Sequence, residues 1–176
     1  GAGKMVSAIV QSLLRTNSFS AAEIGCCSAK DGTSEKLAEA TGITRFESVE
    51  QMLSSSPSVL VLGCKPQQLT ELPPTASDLA SDCLVLSIMA GIPLPRLSKV
   101  FPNARNIARS MPNTPGQIGH GVTGYLFAKS PEQKDRQLIE IILSSLGTAY
   151  ELGEEADLAR VTAISGSGPA YVFEFT

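Results

Sequence analysis

Short apolar runs alternating with helix-like stretches constrain this chain more than any other feature. Val59-Leu60-Val61-Leu62 is wholly apolar and lies between Pro57 and Gly63, as expected of a strand covered on both faces. Residues 84–88 repeat that character and stop before Gly91. Residues 23–27 and 121–127 read as further strands, 106–108 as a short one, and 149–152 as another. Between them lie helical patterns. Met5, Ile9 and Leu13 recur at four-residue spacing, which predicts a helix over 3–15. Shorter helices are expected over 34–40, stopping at Gly42, over 48–54, ending before Pro57, and over 154–163. The strongest helical pattern runs over 130–146. There Ser130 is the expected N-cap, Pro131 the first helical residue and Gln133 the partner in a capping box. Leu138, Ile142 and Leu146 form its apolar stripe, and Gly147 ends it. Strands alternating with helices predict an α/β fold, a doubly wound Rossmann-type parallel sheet.

Composition narrows the function classes. With 176 residues, 43% of them hydrophobic, the chain can build one packed domain and little more. The net charge is −3, and Lys and Arg are scattered, so no basic block tracks a phosphate backbone and no nucleic-acid role is expected. No apolar run approaches the length of a membrane span. The four cysteines, Cys26, Cys27, Cys64 and Cys83, show no C-x-x-C pair and no metal-ligand spacing. Metal is therefore not expected, and reduced thiols point to an intracellular, cytoplasmic protein. The chain opens at Gly1-Ala2-Gly3 and closes at Phe175-Thr176 inside a helical pattern, so a piece of a longer protein, truncated at both ends, is expected.

Gly1-Ala2-Gly3-Lys4-Met5-Val6 has the form of a dinucleotide loop leading directly into an amphipathic helix. Glycines there permit a tight turn and close approach of a pyrophosphate, while the helix start offers unpaired N–H groups and the positive end of its dipole. Two departures stand out. The strand that should precede Gly1 is absent from the sequence, and Val6 occupies the place where Gly or Ala normally allows close packing. Cofactor choice is set after the next strand, which ends Cys27-Ser28-Ala29-Lys30-Asp31. Ser28 and Lys30 are suited to a 2′-phosphate, with an ordinary polar turn as the competing reading. NADP(H) is favoured, with NAD(H) as the alternative.

Ligands in open α/β sheets bind beyond the carboxyl ends of strands. Three motifs fall there: Gly63-Cys64-Lys65-Pro66, Met89-Ala90-Gly91, and Ser110-Met111-Pro112-Asn113-Thr114-Pro115-Gly116. With GAGKM at 1–5, SIMAG at 87–91, MPNTPG at 111–116, LSSLG at 143–147 and ISGSGPAY at 164–171, the chain resembles the pyrroline-5-carboxylate reductase family along its whole length.

That resemblance implies a dinucleotide-binding Rossmann domain over 1–160 and, over 161–176, the start of an all-helical domain that dimerises and completes the site. It implies that Gly1, Ala2, Gly3, Lys4, Met5, Ser28, Gly63, Cys64, Lys65, Pro66, Met89, Ala90 and Gly91 line the dinucleotide. Ser48 falls where the family often has an Asn near the adenosine, a departure that bears on its contact. The MPNTP segment lies near the nicotinamide in the family, and SGSGPAY opens the helical domain. The Thr- and Gly-rich loop that holds the substrate carboxylate in the family has no counterpart here. The chain is expected to carry most of the cofactor half of the site and little of the substrate half.

The implied reaction is NAD(P)H-dependent reduction of 1-pyrroline-5-carboxylate to L-proline, by hydride transfer to the ring C=N of a small cyclic imino acid. The full-length protein is expected to be a homodimer or a higher homo-oligomer. Lys65 either touches the cofactor or solvates a strand end. Asn113 and Thr114 either bond the nicotinamide or substrate or serve an Asx-type turn. Ser165 and Ser167 either contact substrate or cap a helix beginning near Pro169. His120, between two glycines, reads as a loop residue, and no residue stands out as an obligatory acid. Two other readings are an oxidoreductase of the same architecture acting on hydroxyacids, and a nucleotide-binding module without turnover.

Overall fold

The computed structural model describes residues 1–167. Its elements run in the order α1 (Lys4–Arg15), β1 (Gly25–Cys26), α2 (Thr33–Thr41), β2 (Thr44–Arg45), α3 (Val49–Leu53), β3 (Val59–Leu62), α4 (Ala76–Leu79) and β4 (Leu84–Ser87). They continue with α5 (Leu94–Val100), β5 (Asn106–Met111), β6 (Gly121–Phe127), α6 (Gln133–Ser144), β7 (Gly147–Glu151) and α7 (Glu155–Val161). A five-stranded sheet has the order β3-β4-β5-β6-β7, and β1 pairs with β2 in a separate two-stranded sheet. All pairs are parallel except β5 with β6. That one reversal follows from the connection. The chain between Met111 and Gly121 holds only a 3-10 turn, Thr114–Ile118, too short for the crossover that a parallel neighbour needs.

Both faces of the large sheet are covered, as strand alternation dictates. In β4, Leu84 and Leu86 face one side with Ala108 and Tyr125, under Ile9 and Leu13 of α1 and Ile139, Ile142 and Leu143 of α6. Val85 faces the other side with Leu60, Leu62 and Ile107, under Leu53, Leu97 and Phe101. All four residues of β4 are buried. For β3 the expected double cover holds on one face only. Leu60 and Leu62 are buried, whereas Val59 and Val61 are partly exposed, because β3 is an edge of its sheet. The α1 helix joins the two sheets: Val6 and Val10 pack with Cys26, Leu37 and Ile43 around β1 and α2.

Several boundaries move from their expected places. The capping box at Ser130 does not form. The helix α6 starts at Gln133, and its N-cap is Glu132, whose carbonyl accepts from the amides of Asp135 and Arg136. The start is displaced because Asp135, in the first turn, is 1% exposed and held by Arg105 at 2.8–3.2 Å through both carboxylate oxygens. The Asn106 amide also donates to Lys129 O and fixes the approach. Leu146 is buried just past the end of α6, and Gly147, at φ +138, opens β7 rather than capping the helix. The strand expected over 23–27 shortens to Gly25–Cys26, after a 3-10 turn at Ala21–Glu23. The strand at 106–108 extends instead to Met111. Gly42 ends α2 in a left-handed conformation, φ +73, as its position predicts. After Val161 the backbone widens into a π-helical turn, Thr162–Ser167.

Candidate cofactor site

The glycine loop enters α1 with no side chain capping it. Gly3 is the N-cap, its carbonyl accepts from Ser7 N at 2.9 Å, and the first turn contains no acidic residue. The amides of Lys4, Met5 and Val6 therefore have no intrahelical partner and carry the positive end of a 12-residue helix. Open space surrounds the α-carbon of Gly3, with no heavy atom within 4 Å of where a side chain would begin. Gly1 is the opposite case: a Cβ there would meet Gly63 O at 2.6 Å. One glycine lets the backbone of the loop lie on the backbone of the next strand end, and the other leaves an open approach for an anion.

Val6 explains its own departure from the usual loop. A Cβ on Gly63 would fall 2.2 Å from Val6 Cγ2, so the space normally released by a small residue in the helix is released here by the strand-end glycine. The close helix–strand approach is kept with the small partner exchanged.

Around this seam lies a cleft of about 220 Å³ lined by Gly3, Lys4, Met5, Val6, Gly63, Cys64, Pro66, Ile88, Met89 and Ala90. It opens at the carboxyl ends of β3 and β4, where α/β sheets bind ligands. Most of the residues expected from three separate motifs thus meet in one place. Val6 and Ile88 complete the wall, though sequence reasoning took one as a departure and the other as a strand residue. Their signal was an apolar residue beside each glycine turn. Cys64 points its thiol at Met89 Sδ, 3.6 Å away, and burial pushes that thiol's pKa up. The remaining thiols, Cys26, Cys27 and Cys83, are buried, and all four are free. Among the described residues no group of His, Cys, Asp or Glu has the placement of a metal site.

The other expected residues are not among those that line this cleft. Ala2 is buried beneath the loop, in the cluster with Cys26. Lys65 is exposed, and its backbone N–H donates to the Gln68 side chain at 3.0 Å. Gly91, at φ +73, turns the chain behind Ala90. Ser28 follows β1 and is committed to local bonds. Its oxygen lies within hydrogen-bonding distance of Ala29 O, Asp31 Oδ1 and Ser34 Oγ, and it accepts from Ser34 N. Asp31 Oδ1 also accepts from Thr33 N at 3.0 Å and Thr33 Oγ1 at 2.7 Å. The Thr33 bonds hold the Asp31 carboxyl below its ordinary pKa. Lys30 is exposed beside this cluster.

Ser48 is the N-cap of α3, its Oγ accepting from Gln51 N at 3.1 Å. Asn113 Oδ1 accepts from Val122 N at 2.9 Å and so pins the 3-10 turn to β6. Thr114, at the start of that turn, is exposed. His120 is an exposed loop residue whose amide donates to Pro115 O. Ser165 and Ser167 lie on the π-helical turn; their side chains, and the helix cap expected near Pro169, fall outside the described residues.

The cleft suits a dinucleotide on three counts: free amides at a helix start, an open glycine approach, and an apolar wall opposite. Residues 1–91 match the model of the family described as NADP oxidoreductase, coenzyme F420-dependent. A pyrroline-5-carboxylate reductase of Haemophilus influenzae is 34% identical, along 98% of this chain and 63% of that protein. One of Staphylococcus epidermidis is 31% identical, along 98% of this chain and 64% of that protein. The solved structure of a pyrroline-5-carboxylate reductase from Coxiella burnetii superposes with a TM-score of 0.90 at 28% identity, over 99% of this chain and 65% of that one. The Plasmodium falciparum pyrroline carboxylate reductase, solved with NADP bound, gives 0.80 at 27% identity, over 99% and 63%. The chain spans a little under two thirds of the length of these relatives. It belongs to the family of coenzyme F420-dependent NADP oxidoreductases, and the relatives it resembles along nearly its whole length are pyrroline-5-carboxylate reductases.

Proposed function

We propose that this chain carries the cofactor half of a pyrroline-5-carboxylate reductase, which reduces 1-pyrroline-5-carboxylate to L-proline, the last step of proline biosynthesis. The observation that carries the reading is the single cleft in which the glycine loop, the 63–66 turn and the 88–90 turn converge. The similarity to reductases of that name supplies the substrate.

NADP(H) is the favoured cofactor, supported by the relative solved with NADP and by the family description. Bound NADPH supplies the hydride. The chain's own residues do the rest of the work on this half of the site. Amides of Lys4, Met5 and Val6 hold a pyrophosphate, and the Lys4 ammonium adds positive charge beside it. Val6, Ile88 and Met89 present an apolar wall that excludes water from the bound dinucleotide. The Asn113 bond to Val122 N fixes the turn that follows β5. Orientation of two rings is the main requirement of such a transfer, and orientation contributes roughly 7–11 kcal/mol of barrier lowering in well-placed reactions. A site built from turns rather than from an acid/base pair is consistent with that.

Residues 1–160 form the dinucleotide-binding domain in this reading, and residues from 161 onward begin a helical domain that supplies substrate contacts, Ser165 and Ser167 among them. Assembly as a homodimer or higher homo-oligomer and a cytoplasmic location belong to the same proposal. Among the described residues no helix is long and apolar enough to cross a membrane.

The test is imine-dependent loss of NADPH absorbance by the full-length protein with 1-pyrroline-5-carboxylate, beside NADH and beside a hydroxyacid panel. Turnover of the imine supports the reductase. Oxidation of a hydroxyacid in its place, or cofactor binding by a folded protein with no turnover of either, would overturn it.

A further inference from the structure

We propose that Glu155 is a positioning residue: it ties the loop after β4 and the end of β5 to the segment that follows α7, holding the two halves of the site in register. This rests on the reductase reading above.

One carboxylate oxygen makes the tie. Glu155 Oε1 accepts from Leu94 N at 2.9 Å and from Arg109 Nη1 at 2.6 Å. Leu94 begins α5, directly after the 89–91 turn that forms one wall of the cleft. Arg109 lies in β5 two residues before Met111, and β5 runs out into the Asn113–Thr114 segment. Glu155 is the first residue of α7, and α7 continues without a break into the turn that carries Ser165 and Ser167. The stretches of chain that adjoin these three places therefore meet at one atom.

The setting makes the tie firm. The side chains of Arg109 and Glu155 are 15% and 32% exposed, so solvent screens the pair only in part. Arg109 Nε is buried with no acceptor, which leaves Glu155 as the carboxylate that answers the guanidinium. Because one oxygen serves both donors, neither segment can shift without disturbing the other.

The rest of α7 is seated so that movement at its start would be transmitted. Leu158 is 1% exposed. Gly124 of β6 lies under the helix, and a Cβ there would meet Leu158 Cδ1 at 3.3 Å and Val161 Cγ1 at 3.4 Å. The helix thus rests directly on the sheet backbone, with its register along β6 set by Glu155 at one end. A more deeply buried Arg–carboxylate pair, Arg105 with Asp135, joins segments at the opposite ends of the strands and touches no cleft residue.

The test uses the full-length protein with Glu155→Ala, which removes both bonds, and Glu155→Gln, which keeps an acceptor for Leu94 N but removes the charge facing Arg109. In the alanine variant kcat should fall by about tenfold or more, the scale of a small misplacement of reacting groups, while the KM for NADPH changes by less than about threefold. The glutamine variant should recover part of the loss. Amide exchange should accelerate together at Ile92 and Leu94 and at 155–164 in the alanine variant. A kcat within about twofold of the parent would overturn the proposal. So would a kcat that merely follows the thermal midpoint in both variants, or faster exchange confined to α7. If the parent protein fails to turn over the imine at all, the reductase reading falls, and the exchange experiment still decides whether Glu155 couples the two segments.

Discussion

The two ends of the large sheet solve opposite problems. At the carboxyl ends of β3 and β4 the chain leaves amides unpaired, leaves space at Gly3, and packs backbone on backbone through Gly1 and Gly63. At the amino ends, Arg105 spends its whole guanidinium on protein. It holds buried Asp135 through both oxygens, donates to Asp82 O, and reaches Ser58 O at 3.3 Å. Thus β3, β4, β5 and α6 are drawn together at the end away from the cleft. A cleft that receives an anion, as proposed above, must leave donors unsatisfied, whereas the far end spends its donors on protein acceptors.

The largest effect that could break this contrast is on stability. Asp135→Ala strands Arg105 and should cost about 3–5 kcal/mol by urea unfolding, the scale for breaking a buried pair. Its NADPH affinity at low temperature should stay close to that of the parent. A loss of affinity without a loss of stability would show that the two ends are not separate.

Next comes Gly63→Ala, which drives a methyl into Val6 and should cost about 1–3 kcal/mol as an overpacked contact. Unlike Asp135→Ala, it should also weaken NADPH binding, measured by fluorescence titration. Adding Val6→Ala should restore much of both. If the double variant binds no better than Gly63→Ala, the exchange of small partners between helix and strand is wrong.

A smaller effect is expected at Asp31. Its carboxylate lies beside Ser28, where a 2′-phosphate is expected to bind. Asp31→Asn should raise the preference for NADPH over NADH several-fold in parallel titrations, by removing a like charge. An unchanged ratio would place the 2′ group elsewhere. Smallest of all is the response of Cys64. Burial raises its pKa, so less of it is thiolate at neutral pH than for a free cysteine, and alkylation should be slow there. The rate should climb at more alkaline pH and fall when NADPH is present, as followed by mass spectrometry.

The contrast also explains what could be read from sequence. Tight turns and close backbone approaches need particular residues, so Gly3, Gly63 and Pro66, which line the cleft, stood out in the sequence. Strand β4 was legible because all its residues are buried. Helix α5 was not foreseen, since Pro93 and Pro95 look like breakers although proline suits the beginning of a helix. The compensation of Val6 by Gly63 depends on two residues far apart in the chain, and no local pattern reveals it. Arg105 and Asp135 were equally silent: a buried ion pair looks in sequence like two scattered surface charges. The reversal at β6 was within reach, because the connection after Met111 is visibly too short for a crossover.

The most direct measurement is amide hydrogen exchange of the protein with and without saturating NADPH. Protection is expected at 3–6, 63–64 and 88–91, with no change at Asp82, Arg105 or Asp135. Protection centred at the amino ends of the strands, or none near the glycine loop, would contradict the assignment of the cleft as the cofactor site.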